Sequence, residues 1–129
     1  IEVIAKARIE IESMRRMVLT AAKAMDELGN EAARVWVSAV KAMVPIRVCH
    51  IIDEAIQFHG AAGVSQWTPL ADMYSGQRTL RLADGPDEVH WFVVGRAELR
   101  RWEEDGGIKY DPKVAYYSED DESVLTARI

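Results

Sequence analysis

The sequence contains a single cysteine, Cys49, among its 129 residues. One thiol excludes an internal disulfide, and it fits a reducing compartment or an unreactive buried side chain. The sequence has no run of 18 apolar residues, so we expect no transmembrane helix. Its start lacks the basic segment, apolar run and small-residue cleavage site that make up a signal peptide. We therefore expect an intracellular protein without a membrane span.

An excess of positive charge is also missing. Residues 1–102 carry 13 basic and 13 acidic side chains, whereas residues 103–129 carry 3 basic and 8 acidic ones. The net charge of −5 therefore lies entirely in the C-terminal tail. Because no basic face dominates the body of the chain, this distribution argues against a nucleic-acid-binding protein.

The residue patterns that would indicate a metal or a nucleophile are absent as well. Di-iron bundles use Glu-x-x-His on two helices, and the sequence contains no such pair. The nearest equivalent is Asp87-x-x-His90, a pair that is common by chance, so we expect no metal site. Cys49 lies between Val48 and His50 in an apolar helical segment, which favours a small core residue over a catalytic thiolate.

The sequence does contain apolar residues at helical spacing. Intervals of three and four predict a first helix of roughly 25 residues ending at Gly29, where a positive φ has no steric cost. Asn30 is expected to cap a second helix over about residues 31–58, which Pro45 bends without ending. Because the pattern starts at Ile1 without a capping residue, we expect the chain to be a segment of a longer protein. The first stripe consists of Ile4, Ala7, Ile11, Met14, Val18, Ala21, Ala22 and Met25.

Two prolines mark the starts of two further helices. Pro69 is expected to open a third helix, capped by Thr68, that runs to about Leu82. Pro86 is expected to open a fourth helix that runs to about Trp102. Four helices with short connections, and no pattern that favours strands, predict an all-α, up-down four-helix bundle over residues 1–103. Residues 104–129 are predicted to form an extended or disordered acidic tail.

Two short segments differ from ordinary bundle sequence. The first, Gln57 to Gly63, reads Gln-Phe-His-Gly-Ala-Ala-Gly at the end of the second helix, where glycines alone would indicate only a C-cap. The second, Asp84 to Val89, reads Asp-Gly-Pro-Asp-Glu-Val between the third and fourth helices. A carboxylate at such a junction serves either as a helix N-cap or as a base presented to a cleft beside exposed N–H groups.

Taken together, the two segments resemble the C-terminal helical domain of the acyl-CoA dehydrogenases. In that family the domain is a four-helix bundle, its second helix ends in Gln-x-x-Gly-Gly-x-Gly, and its third and fourth helices meet at Glu-Gly-Thr-x-Glu-Ile. The spacing between the segments, the proline at the third helix and Arg96, twelve residues after Asp84, all agree. The resemblance covers residues 4–102. Residues 78–90 are similar to one branch, in which an Asp base is normal and a kinase-like domain can precede the dehydrogenase.

The sequence departs from the family pattern at three positions. Asp84 replaces the usual catalytic Glu and is one methylene shorter, which retracts the carboxylate by about 1.5 Å. Pro86 replaces a Thr and lacks its hydroxyl and N–H, and Ala61 replaces a Gly.

The resemblance implies a reaction and a substrate. The family removes hydrogen from the α and β carbons of an acyl-CoA thioester: a carboxylate takes the α-proton, and the β-hydrogen leaves as hydride to FAD. Asp84 is then the catalytic base. The resemblance also assigns Asp84, through its backbone N–H, Gly85 and Arg96 to substrate binding.

The resemblance further implies a cofactor and an oligomer. FAD would be bound in the full-length protein, and the positions that match FAD-binding positions are Gln57, Gly60, Ala61, Pro86 and Glu88. Family members are dimers or tetramers packed through this bundle, so we expect an interface on its outer apolar face, which includes Trp36, Met43 and Phe92. The protein would be cytoplasmic in a bacterium and mitochondrial or peroxisomal in a eukaryote.

The chain alone is expected to be inactive, because the family's flavin-binding barrel and N-terminal helical domain are not in this sequence. The alternative is a non-catalytic helical module for interaction or oligomerisation. The balanced charge of the body and its large apolar residues fit such a module equally well. Gln57 and the Asp84-Gly85 pair favour the dehydrogenase, because an interaction module has no need of them.

Overall fold

The structure is a computed structural model, and it describes residues 1–104 of the chain. Four α-helices make up most of this part: α1 spans Glu2–Ala32, α2 spans Arg34–His59, α3 spans Leu70–Thr79 and α4 spans Asp87–Glu104. A 3₁₀ segment, Gly60–Val64, follows α2 directly, and the described residues contain no strand. The prediction of an all-α bundle is therefore confirmed. The predicted tail lies outside the described residues from position 105 onward.

The first helix is kinked at the glycine where the sequence predicted its end. Gly29 has φ 81° and ψ 168°, which is not helical, and the chain then resumes helical geometry up to Ala32. The predicted cap at Asn30 is wrong, since α2 begins at Arg34 after the buried Ala33 and has no side-chain cap. The backbone explains this difference. The Ala33 N–H donates to the Gly29 carbonyl at 3.1 Å, so one of the N–H groups that a side-chain cap would bind already has a partner.

The second helix is the centre of the described structure. α1, α3, α4 and the 3₁₀ segment all pack against α2, whereas α3 and α4 do not pack extensively against each other. The helix continues through Pro45, which is buried, so the prediction of one helix across the proline is confirmed. Cys49 is a free, buried thiol, as expected for a core residue. A helix that is contacted on several sides must be apolar on several sides, which is what the sequence of α2 provides.

The apolar character of α2 corrects one expectation. By length and composition alone, Arg34–Val64 is long and apolar enough to cross a membrane, with a mean hydropathy of 1.5. The absence of an uninterrupted apolar run therefore does not exclude a spanning segment. Since the other helices pack against α2, its composition also suits the central helix of a bundle.

The ends of α3 differ from the predicted ones. The Thr68 hydroxyl donates to the Ala62 carbonyl at 3.2 Å, so it does not cap α3, which begins at Leu70 after Pro69. At the other end, α3 stops at Thr79 and not at Leu82, because successive N–H groups bond to carbonyls three residues back and tighten the chain into a turn. α4 begins one residue after Pro86.

Several large apolar side chains remain exposed in the described part of the chain. Phe92 and Leu99 on α4 are 65% and 66% exposed. Of the other residues predicted to lie in an interface, Trp36 and Met43 are half-buried. The buried apolar residues are mostly small: Met14, Ala21, Ala24, Ala33, Ala42, Cys49 and Ile52. Because large contiguous apolar patches usually mark contact surfaces, the face of α4 is a candidate for contact with other protein.

Replacing Gly29 by alanine is expected to lower the free energy of unfolding by about 1–3 kcal/mol. The reason is its backbone conformation at φ 81° and ψ 168°, a region that is almost confined to glycine. The matched control is Gly76→Ala in α3, where a Cβ would meet no atom within 4 Å and alanine favours the helix by about 0.5–1 kcal/mol. Urea unfolding followed by circular dichroism measures both. Equal stability of Gly29→Ala and wild type would contradict the kink.

Candidate functional site

The turn between α3 and α4, residues 80–86, contains Asp84, the carboxylate to which the family resemblance assigns the role of base. Asp84 has φ 56° and Gly85 has φ 99°, so the chain passes through two consecutive residues with positive φ. Asp is one of the few residues other than glycine that adopt the left-handed region, and Gly85 adopts it without steric cost. The Asp84 residue is exposed. The turn therefore presents a carboxylate at the surface on a backbone with restricted freedom.

A lysine from α2 holds this turn from the side of the bundle. Lys41 Nζ donates to the Leu80 carbonyl at 2.5 Å and to the Gly85 carbonyl at 3.2 Å. The two carbonyls lie on either side of Asp84 in the chain. Sequence reasoning missed Lys41, although a signal was present: it is the sole charged residue between Arg34 and Arg47 in an otherwise apolar segment.

An ion pair closes the same turn. Arg81 Nε donates to Asp87 Oδ2 at 2.6 Å, and the Asp87 N–H donates to the Arg81 carbonyl at 3.2 Å. The side chain of Asp87 is 6% exposed. The hydrogen bond from Arg81 to Asp87 raises the pKa of Arg81 above its ordinary value. This pair ties the end of the turn to the first residue of α4.

His90, on the first turns of α4, also contacts the turn. Its Nε2 lies 3.2 Å from the Asp84 carbonyl oxygen, to which the Nε2-protonated tautomer donates. Its Nδ1, like Asp87 Oδ1, is buried without a hydrogen-bond partner among the described residues. The pair Asp87 and His90 therefore contacts the turn at two points. Asp87 binds the Arg81 side chain, and His90 binds the Asp84 carbonyl.

The second segment lies at the C-terminal end of α2. Gln57, Gly60 and Ala61 are all exposed there. Gly60, with φ 56° and ψ −138°, ends the helix, and its N–H donates to the Gln57 carbonyl. Gly63 packs so closely on α2 that a Cβ would lie 2.5 Å from the Ile56 carbonyl oxygen. The glycines therefore cap α2 and attach the 3₁₀ segment to it, and they leave a small, open backbone surface beside Gln57.

The structure thus distributes the predicted site residues over three places. Gln57, Gly60 and Ala61 share the end of α2. Arg96 is exposed on α4, nine residues after Asp87 or about 14 Å along the helix, and it lines an open apolar groove with Phe92, Leu99 and Trp102. The turn and the start of α4 bring together Asp84, Gly85, Pro86 and Glu88.

Comparison with known proteins places the chain among acyl-CoA dehydrogenases. Residues 2–99 match the family described as "Acyl-CoA dehydrogenase, C-terminal domain". The chain is 55% identical over 97 residues to acyl-CoA dehydrogenase family member 11 of Rattus norvegicus, and the alignment covers 75% of this chain and 12% of that protein. It is 48% identical over 97 residues to acyl-CoA dehydrogenase family member 10 of Mus musculus, which covers 75% of this chain and 9% of that protein.

A solved structure gives the same result. A protein from Mycobacterium abscessus described as an acyl-CoA dehydrogenase superposes with a TM-score of 0.76 at 48% sequence identity, over 78% of this chain and 25% of that one. The chain therefore spans between about a tenth and a quarter of the length of these relatives.

Replacing Asp87 by alanine is expected to lower the free energy of unfolding by about 1.5–3 kcal/mol, because Arg81 loses a charge-assisted hydrogen bond. Glu88→Ala, at the next residue and exposed, is the control for the loss of a carboxylate near the start of α4.

The pH dependence of this stabilisation follows from the pKa of Arg81. Because that pKa is raised, the stabilisation is complete below the ordinary arginine pKa and is lost as the pH rises through the raised value. The difference between variant and wild type should therefore be constant across neutral pH. Urea unfolding at several pH values measures it, and an equal loss in both variants would contradict a role for the ion pair.

Proposed function

The chain belongs to the acyl-CoA dehydrogenase family, as its C-terminal domain, and we propose that the protein containing it is an FAD-dependent acyl-CoA dehydrogenase. The observation that carries this proposal is the turn between α3 and α4. An exposed Asp84 stands there in a left-handed conformation, at the position that the family resemblance assigns to the catalytic base. Lys41 and the Arg81–Asp87 pair hold the turn that bears it.

The proposed reaction uses Asp84 to accept a proton. The carboxylate takes the α-proton of the thioester, and the electron pair of that C–H bond forms the α,β double bond as the β-hydrogen leaves as hydride. Negative charge develops on the thioester oxygen, which a backbone N–H can stabilise when it is preorganised. The N–H of Asp84 is proposed for this role. Its orientation depends on the positive φ values of Asp84 and Gly85.

The end of α2 fits the pyrophosphate and adenine parts of FAD. Gly60 and Ala61 are small and exposed, and a Cβ on Gly60 would meet no atom within 4 Å. A ligand can therefore approach the backbone closely, and Gln57 adds an exposed amide beside it. We assign Pro86 and Glu88 to the flavin and adenine sides of the same cofactor. When bound, FAD supplies the acceptor for the hydride from the β-carbon.

Substrate binding is proposed for the turn and for α4. Gly85 and the backbone of Asp84 would contact the thioester, and Arg96 lies about 14 Å along α4 from Asp87, the first residue of that helix. That separation suits a ligand as long as an acyl-CoA, which extends well beyond its reacting carbons.

The other parts of the site must come from the rest of the protein. Because the chain spans 12% of the rat relative and 25% of the Mycobacterium abscessus chain, most of the flavin pocket is proposed to lie outside it. We also propose that the exposed apolar face of α4 is covered in a dimer or tetramer, that α2 is a core helix and no membrane span, and that the protein is intracellular.

A non-catalytic helical interaction module is the second candidate function. The observation that favours it is the exposed apolar surface on α4, where Phe92 and Leu99 are 65% and 66% exposed. An interaction module would need that surface and would not need a carboxylate at position 84. The two functions therefore differ in what they predict for Asp84.

In the full-length protein, Asp84→Asn is expected to lower the rate of flavin reduction by acyl-CoA by about 10²–10⁴-fold, because the amide cannot accept the α-proton. Asn also tolerates the left-handed conformation, so FAD content and acyl-CoA affinity should be retained. Asp72→Asn, an exposed aspartate at the start of α3, is the control and should reduce flavin at the wild-type rate. Anaerobic stopped-flow absorbance measures the rate. Near-wild-type reduction in Asp84→Asn would end the proposal.

The isolated chain is expected to self-associate and to bind no FAD in stoichiometric amount. Self-association follows from the exposed apolar face of α4, and weak binding follows from the proposed location of most flavin contacts outside the chain. Size-exclusion chromatography with light scattering measures the first property, and the absorbance spectrum of the purified chain measures the second. A monomer, or a preparation with one flavin per chain, would contradict the corresponding half of this prediction.

A further inference from the structure

We propose that Lys41 is a positioning residue for Asp84: by binding the carbonyls on both sides of that residue, it fixes the base relative to α2. This inference rests on the proposed function, since it assigns Lys41 a part in the same proton transfer. In this proposal Lys41 does not contact the substrate and acts only through the backbone that bears the base.

The first contact is at the end of α3. Leu80 directly follows α3, and the last carbonyls of a helix have no intrahelical partner. Lys41 Nζ donates to the Leu80 carbonyl at 2.5 Å. A lysine ammonium near a helix C-terminus satisfies such a carbonyl and also interacts favourably with the helix dipole. The ammonium therefore binds the chain at the point where α3 ends and the turn begins.

The second contact is immediately after Asp84. The Gly85 carbonyl accepts from the same Nζ at 3.2 Å, so one ammonium binds the backbone four residues before Asp84 and one residue after it. Asp84 has φ 56°, a conformation that aspartate adopts more readily than most residues but that nearby contacts still have to stabilise. Without the ammonium, both carbonyls would lose their donor, and the turn would be free to relax towards right-handed geometry and move the carboxylate.

The surroundings of Lys41 support a dedicated role. The side chain is half-buried, and in the described part of the chain no carboxylate lies within ion-pair distance of it. A partly buried ammonium has a desolvation cost unless it is hydrogen-bonded, and the two carbonyls of the turn supply those bonds. The contact is therefore a specific one that joins α2 to the turn across 39 and 44 residues of sequence.

In the described part of the chain, Lys41 is the residue of α2 that hydrogen-bonds to this turn. The Arg81–Asp87 pair and His90 both join the turn to α4. α3 and α4 in turn pack against α2 and not extensively against each other. Lys41 also shares α2 with Gln57, which lies sixteen residues further along the same helix, or about 24 Å. One helix would thus set the distance between the base and the proposed cofactor-binding end.

The test uses the full-length holoenzyme with three variants. Lys41→Met keeps the length of the side chain and removes its charge and donors, whereas Lys41→Arg keeps both charge and donors. Lys23→Met is the matched control, because Lys23 lies on α1 and pairs with Glu27 on that helix at 3.5 Å. For each, we would measure FAD content, acyl-CoA affinity, the rate of flavin reduction at saturating acyl-CoA, and hydrogen exchange of the peptide containing residues 80–87.

We expect Lys41→Met to retain FAD and acyl-CoA affinity and to reduce flavin about 10–100-fold more slowly, since a misplacement of about 1 Å is enough for such a loss. The deuterium isotope effect with α-deuterated substrate should rise, because proton abstraction becomes the slow step, and the 80–87 peptide should exchange faster. Lys41→Arg should recover most of the rate, and Lys23→Met should behave as wild type.

A wild-type rate in Lys41→Met, or a rate loss that merely follows the loss of bound FAD, would overturn the inference. If Lys41→Met does not fold, the comparison of Lys41→Arg with Lys41→Gln tests the positioning role. Only the arginine variant should retain slow hydrogen exchange in the peptide containing residues 80–87. Failure of the proposed function gives a different result, namely turnover that survives in Asp84→Asn. An inactive Asp84→Asn variant together with a fully active Lys41→Met variant overturns the positioning role alone.

Discussion

α2 is the element on which the other described helices depend, since α1, α3, α4 and the 3₁₀ segment all pack against it. A helix contacted from several directions has to be apolar around much of its circumference. This requirement explains why α2 contains a stretch apolar enough to pass for a membrane span. Lys41, the sole lysine of α2, therefore lies in a largely apolar segment. Lys41 is the point at which the central helix makes charged contact with the turn between α3 and α4.

The turn that bears the proposed base is held from two sides. Asp84 and Gly85 both have positive φ, and a turn of that kind needs external support to keep one conformation. Lys41 supplies it from α2, and the Arg81–Asp87 pair supplies it from α4. The result is an exposed carboxylate on a backbone that is held from two helices. The exposed apolar face of α4 agrees with a domain whose site is completed by the rest of a larger protein.

Local patterns in the sequence predicted the helices, the break at Gly29 and the membership in the acyl-CoA dehydrogenases. Helical periodicity is a pattern of spacings between nearby residues in the sequence, so it can be recognised without knowledge of the three-dimensional fold. The predicted cap at Thr68 was wrong, since its hydroxyl bonds to Ala62 in the 3₁₀ segment. Lys41 was missed because its partners are 39 and 44 residues away. The role of Asp84 came from the family resemblance, and its left-handed conformation could not be read from its residue type.

The role of Asp84 as the base is tested most directly by a crystal or cryo-electron-microscopy structure of the full-length protein with FAD and an unreactive acyl-CoA analogue. The decisive measurement is the distance from the nearest Asp84 carboxylate oxygen to the α-carbon of the thioester. We predict a separation of about 3–3.5 Å, as required for direct proton transfer, with Lys41 Nζ bound to the Leu80 and Gly85 carbonyls. An Asp84 side chain directed into solvent, with another carboxylate at the α-carbon, would contradict it.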